Sequence, residues 1–295
     1  MTLIAWRTYL EVCHRGSLSA AAEALGYSQS AVSRQIASLE QLVGEPLLRR
    51  GARGVTPTAA GEAFRRHARV VVNEADRAVR AARDAAAGGP AVPLAVGATP
   101  SAGAGIVPAA LARLRASGAD LAWSLTCALT PELERRVNAG DLDLAVVTDA
   151  PPGPAEDPRL RRFPVALDRM CVIVPPDHPA AGTGPADLGR FAADDWIEDN
   201  EGSAALLRTA AARAGFEPRL DFAVGDLAGK AAMVAAGHGI ALVPGLLRSA
   251  LRRDVVAVPL IRPPVRGIYA TVAADRAEEE LLLSVVEALR AAAEP

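Results

Sequence analysis

The 295-residue sequence has little cysteine and no long apolar run, and each shortage removes a class of function; among its basic residues only Lys230 is lysine. Cys13, Cys127 and Cys171 form neither a Cys-x-x-Cys pair nor a metal-ligand spacing, which argues against a disulfide-stapled or zinc-held fold. They read as small apolar residues in a reducing compartment. His14, His67, His178 and His238 are too scattered for a ligand cluster, so no metal and no cofactor is expected. Apolar residues make up 51% of the chain, inflated by alanine, yet no run of roughly 18 of them is free of charge, and no membrane association is expected. Met1 to Trp6 leads straight into a helical pattern without a basic stretch, apolar core and cleavage site, so a cytoplasmic location is expected. Also missing are Ser-x-x-Lys, Gly-x-Ser-x-Gly, His-Glu-x-x-His, a phosphate-binding loop and a complete Gly-x-Gly-x-x-Gly, of which Gly103-Ala104-Gly105 is only a fragment. An enzyme is therefore not expected.

What is present is distributed unevenly. Residues 1–87 hold 12 arginines against 8 acidic residues, a net charge of +4, whereas residues 88–295 hold 20 basic and 26 acidic residues, a net charge of −6. A basic head on an acidic body suits a nucleic-acid reader that carries a separate domain for something else.

The head contains two helices in a particular relation. Ala20 to Leu25 is a run of strong helix formers with small side chains, followed by Gly26 where a C-cap needs a left-handed residue. Ser28 supplies an N-cap oxygen for a second helix reaching about Val43, in which Val32, Ile36, Leu39 and Val43 form one apolar stripe. Ser30, Arg34, Ala37 and Gln41 project to the opposite side, flanked by Gln29 and Ser33. Ser28, Gln29, Ser30, Ser33 and Arg34, short polar side chains and an arginine at the start of an exposed face, suit base-edge contact in a major groove, more than mere solvation of a surface helix. The segment from Pro46 to Thr58 reads as a hairpin around a glycine-containing turn, and Arg49, Arg50 and Arg53 at its tip read as phosphate or minor-groove contacts.

These residues resemble the winged helix-turn-helix of the LysR-type transcriptional regulators. The resemblance rests on Tyr9-Leu10, Gly16-Ser17, Ala21-Ala22-Glu23-Ala24-Leu25, Ser28-Gln29-Ser30-Ala31-Val32-Ser33, Leu39-Glu40, Gly44-Glu45-Pro46-Leu47 and Thr58-Ala59-Ala60-Gly61. Leu48 departs from the family's usual Phe and concerns packing of the wing. The resemblance implies double-stranded operator DNA, a second copy of the chain in a dimer or tetramer, a small-molecule effector and RNA polymerase as partners.

From Thr58 almost thirty residues pass without Pro or, after Gly61, Gly, enough for a helix of about 40 Å. Phe64, Ala68, Val71, Ala75, Val79 and Ala82 recur at helical spacing on it. Such a stripe calls for a partner helix or for packing on its own domain, and the resemblance implies the former, a dimerising linker. Gly88-Gly89-Pro90 reads as the hinge. Beyond it the patterns alternate: strand-like at 92–98, 121–127 and 142–147, helical at 109–116 and 131–139. A second series follows at 170–174, 203–214, 220–224, 227–236, 240–243 and 268–274, with a last helix from about Ala277 to Ala293. That alternation predicts an α/β body with a parallel sheet in two lobes. The resemblance implies a body folded like a periplasmic binding protein, the chain crossing near 163–167 and returning near Pro263-Pro264. The expected organisation is 1–58 winged helix-turn-helix, 59–89 linker helix and 90–295 effector-binding domain, with lobe one at 90–164 and 266–295 and lobe two at 165–265.

Ligands of open α/β lobes collect beyond the carboxyl ends of strands, where helix N-termini offer free N–H groups. Thr99, Ser101 and Ala102 follow the first such strand, Thr126 and Thr148 end the next two, and Asn200 to Ser203 cap a lobe-two helix. The resemblance implies effector contacts at Thr99, Ser101, Thr148, Asn200 and Ser203. The function expected is a sequence-specific DNA-binding regulator controlled by an effector in the cleft. The alternatives are a DNA binder with an inert body and a small-metabolite enzyme.

Overall fold

The computed structural model describes residues 3–51, 54–86, 91–118, 121–151, 153–154 and 156–294. The chain divides into two compact units, residues 1–92 with 138–141 and residues 93–137 with 142–295.

The first unit begins with three helices, α1 (Leu3–Arg15), α2 (Leu18–Leu25) and α3 (Gln29–Val43), followed by a hairpin of β1 (Leu48–Gly51) and β2 (Gly54–Pro57) and the 28-residue helix α4 (Ala59–Ala86). Each short helix is bounded as its sequence dictates. The Ser17 Oγ accepts the Ala20 N–H at 3.3 Å, Gly26 takes φ 68°, and the Ser28 Oγ accepts the Ala31 N–H at 3.2 Å. Tyr9, Val12, Ala21, Ala22, Val32, Ile36, Leu39 and Leu47 form the core. Val43, expected on the buried stripe, is exposed, because α3 overhangs its partners in the last turn before Gly44.

Helix α4 packs on α1 through Phe64, whose ring meets Trp6 and Tyr9 edge-on at 4.9 and 5.4 Å, and through the buried Ala68 and Val72. This seam advances by four residues at each step, so it leaves Val71 and Val79 of the expected stripe exposed, together with Val70. The Thr58 Oγ1 accepts the Gly61 N–H at 2.9 Å and donates to the Pro46 carbonyl at 2.7 Å, joining the helix start to the wing. The expected hinge, Gly88-Gly89-Pro90, lies outside the described residues.

In the second unit, lobe one contains β3 (Ala91–Ala98), α5 (Pro100–Ala104), α6 (Ile106–Ala116), β4 (Leu121–Cys127), α7 (Thr130–Asn138), β5 (Leu144–Thr148) and β6 (Leu160–Arg169). Lobe two contains β7 (Cys171–Val174), β8 (Asp195–Glu198), α8 (Glu201–Arg213), β9 (Arg219–Ala223), α9 (Leu227–Ala235), β10 (Ala241–Val243) and β11 (Val256–Pro259). The chain returns through β12 (Val265–Ala273) to α10 (Glu280–Ala293). The lobe-one sheet has the order β4-β3-β5-β12-β6; β3 and β5 are parallel, and β12 is antiparallel to β5 and β6. Every residue of β5 is buried, with Leu144 and Val146 facing the cluster under α6 and α10 and Ala145 and Val147 the one under α7.

Three expectations change. The lobe boundary expected between 164 and 165 falls inside β6, which stays paired with β12 from Leu160 to Arg169, so this whole strand belongs to lobe one. Lobe two gains β8 and β11, each four residues long and too short for a periodicity to register. The sheets are mixed rather than purely parallel, since both β10 and β11 run antiparallel to β7. Among the described residues no helix is long and apolar enough to cross a membrane, and no group of three potential metal ligands gathers.

Candidate functional site

In the first unit most of the side chains expected to meet DNA are exposed, and one wing arginine lies beside α3. Gln29, Ser30 and Arg34 are exposed on α3, and Ser33 is half-buried beside them. The Ser28 hydroxyl is committed to its cap and lies 3.0 Å from the Ser30 hydroxyl, so Ser28 shapes the helix start. Arg49 and Arg50 are exposed on β1, and the Arg50 Nη2 reaches the Ser33 Oγ at 3.4 Å, bringing the wing beside α3. Arg53 lies outside the described residues. Among the described residues no carboxylate pairs with Arg34, Arg49 or Arg50, so the surface is cationic and uncompensated. Glu40, whose role was not legible in advance, accepts the N–H groups of Leu47 at 2.7 Å and Leu48 at 3.1 Å and fastens the wing to α3.

In the second unit a cleft of ≈ 700 Å³, its open mouth included, lies beyond the ends of β3 and β5. Of the expected effector residues, Thr99, Ser101, Thr148, Asn200 and Ser203 line it. Ala102 does not: one helical step past Ser101 it turns inward and is fully buried in the lobe-one core. Thr126 does not either, being half-buried on β4; the hydroxyl on that side of the cleft comes from Thr130, at the start of α7. The Thr130 Oγ1 donates to the Thr148 carbonyl at 3.1 Å and accepts its N–H at 3.2 Å, holding the end of β5.

Polar groups behind the lining set its character. Arg266, on β12, binds the Asp168 Oδ2 through Nε at 3.0 Å and the Ser101 Oγ through Nη2 at 2.7 Å. The other Asp168 oxygen accepts the Leu246 N–H at 3.0 Å, so one carboxylate ties β6, β12 and the segment after β10 together. On the lobe-two side Lys230, fully buried on α9, donates to Glu198 at 2.5 Å, Asp199 at 2.9 Å, the Ser203 Oγ at 3.1 Å and the Leu242 carbonyl at 3.2 Å. Burial pushes the Glu198 carboxyl above its ordinary range, and the Lys230 charge only partly opposes this. The Asn200 Oδ1 caps α8 by accepting the Ser203 N–H at 2.9 Å. The Thr99 Oγ1 is buried on the cleft wall without a partner. Arg266 carried no sequence signal. The lone lysine amid Leu227, Ala228, Ala231, Ala232 and Met233 did, because a cation in so apolar a helix must find buried acceptors.

Comparison with known proteins identifies both parts of the chain. Residues 3–62 match the model of the bacterial regulatory helix-turn-helix protein, lysR family, and residues 87–294 match the LysR substrate binding domain. The chain is 31% identical over 289 residues to the small neutral protease regulatory protein of Streptomyces lividans, covering 95% of this chain and 80% of that one. Its fold is similar to that of the regulator CbnR, with a TM-score of 0.70 at 23% identity and complete coverage of both chains. A structure of full-length CbnR complexed with its target DNA gives the same TM-score and identity, covering 99% of this chain and 100% of that one.

Proposed function

The chain belongs to the LysR family, a DNA-binding transcription regulator with an effector-binding domain, and on that premise we propose which residues carry its two activities. Gln29, Ser30, Ser33 and Arg34 read base edges, while Arg49, Arg50 and Arg53 contact phosphates. Two copies associate through the apolar residues that α4 leaves exposed, Val70, Val71 and Val79, and place two recognition helices on two half-sites, as a dimer or a pair of dimers. An effector held by Thr99, Ser101, Thr148, Asn200 and Ser203 shifts the protein between arrangements by binding one better than the other. The protein acts in the cytoplasm, with RNA polymerase as its downstream partner.

The observation that carries this reading is the exposed face of α3, on which Arg34 and short polar side chains lie beside the wing residue Arg50, with no carboxylate among the described residues pairing Arg34, Arg49 or Arg50. The test is Arg34→Ala in the full chain, footprinted on the intergenic DNA upstream of its own gene. Operator binding is expected to weaken by about 10- to 100-fold, with thermal unfolding and oligomeric state unchanged. Unaltered affinity and selectivity would remove Arg34 from base reading.

A further inference from the structure

We infer that the cleft takes a small aliphatic amino acid, a ligand with an acceptor group at one end and a protonated amine at the other, with the acceptor on Thr99 and Ser101 and the amine on Asp199. The inference rests on the effector-binding reading of the same cleft and specifies the chemistry of its occupant.

The lobe-one end is built of donors. The Thr99 Oγ1 is buried, meets no partner and lies on the cleft wall, so a ligand acceptor would complete it. The Ser101 Oγ accepts from Arg266, which leaves its own hydroxyl proton for the ligand. Arg266 is itself matched by Asp168, so this end is completed by an acceptor and carries little surplus charge.

The lobe-two end has the opposite character. Lys230 is the cation there, and its three N–H groups already face four acceptors, so it has nothing to offer an anionic ligand. Asp199 lines the cleft, and beyond Lys230 no donor among the described residues meets it. A ligand carboxylate placed there would face a carboxylate without a free cation, whereas an ammonium would be matched. Between the two ends the walls are aliphatic, with Leu129, Met170, Leu206 and Leu227 and no aromatic ring, which suits a short alkyl body over a flat one.

The test measures binding to the full chain by calorimetry. The probes are four- and five-carbon amino acids with the amine on the second or the last carbon, compared with butyrate, pentanoate, butylamine and pentylamine. At least one amino acid is expected to bind about tenfold or more tightly than both matched single-function compounds. Asp199→Asn is expected to abolish the advantage over the acid, and Thr99→Val the advantage over the amine. Equal or tighter binding of the acids alone, or no binding by any probe, would overturn the assignment. Footprinting of the unliganded wild-type protein on its intergenic fragment runs alongside. An intact footprint without probe binding refutes the ligand class and leaves the DNA reading standing, and a missing footprint refutes the latter.

Discussion

Replacing Lys230 by methionine is expected to cost about 3–5 kcal/mol of stability, because it removes the cation from a buried group of acceptors and leaves Glu198 and Asp199 without a counter-charge. The loss is read as a lower urea midpoint for the full chain and depends on pH with a definite sign. Burial raises the Glu198 carboxyl above its ordinary 4.5 in the folded state, so this group favours folding below that value and the benefit fades as pH rises through the raised folded value. Without the lysine the raised value climbs further. The deficit of the variant relative to wild type is therefore larger at pH 8 than at pH 5. A deficit that is the same at both, or absent, would mean that Lys230 does not neutralise this group.

Gly61→Ala is expected to loosen the junction between the wing and α4. A Cβ at this position would lie 2.0 Å from the Leu47 carbonyl oxygen and 2.8 Å from the Tyr9 hydroxyl. The first contact is with backbone, which cannot rotate aside, and the same carbonyl accepts the Thr58 N–H at 3.0 Å. Either the helix start moves away from β1 or that hydrogen bond breaks, at a cost of about 2–3 kcal/mol. Hydrogen exchange of the full chain should show amides at the start of α4 exchanging about 30- to 150-fold faster, with the lobe-two amides unchanged. Wild-type protection throughout α4 would show that the helix start can absorb the methyl group.

The features legible in advance were those that local chemistry decides. Gly26, Ser28 and Thr58 cap helices because a side-chain oxygen or a left-handed glycine solves the same terminal problem wherever it occurs. The alternation of β and α segments was equally visible, since short apolar runs such as the one that forms β5 stand between longer helical stretches. Contacts between residues distant in sequence were not. Arg266 approaches Ser101 from 165 positions away, and nothing around Pro263-Pro264 announces it. Ala102 was misplaced because adjacency to Ser101 in sequence is not adjacency on a helix, where one step turns a side chain by about 100°. The resemblance to the LysR-type head was legible for a related reason: its pattern of Gly16, Glu40, Thr58 and Gly61 encodes how the wing is fastened. The Gly16 carbonyl accepts the Val55 N–H at 2.8 Å, and Glu40 and Thr58 clamp the wing's other end.

The one lysine of this sequence is fully buried and saturated. For amine-directed reagents the folded chain therefore has no accessible lysine side chain: an activated ester or an amine-reactive crosslinker finds no lysine ammonium at the surface. Acylation of Lys230 requires α9 to part from β8 and β10, so its rate, followed by mass spectrometry, is a clock for the opening of lobe two. If a cleft occupant engages Asp199 and Ser203 as proposed, that rate is expected to fall on binding. The scarcest residue in the chain thus doubles as a built-in reporter, readable without a label, a fluorophore or an engineered cysteine.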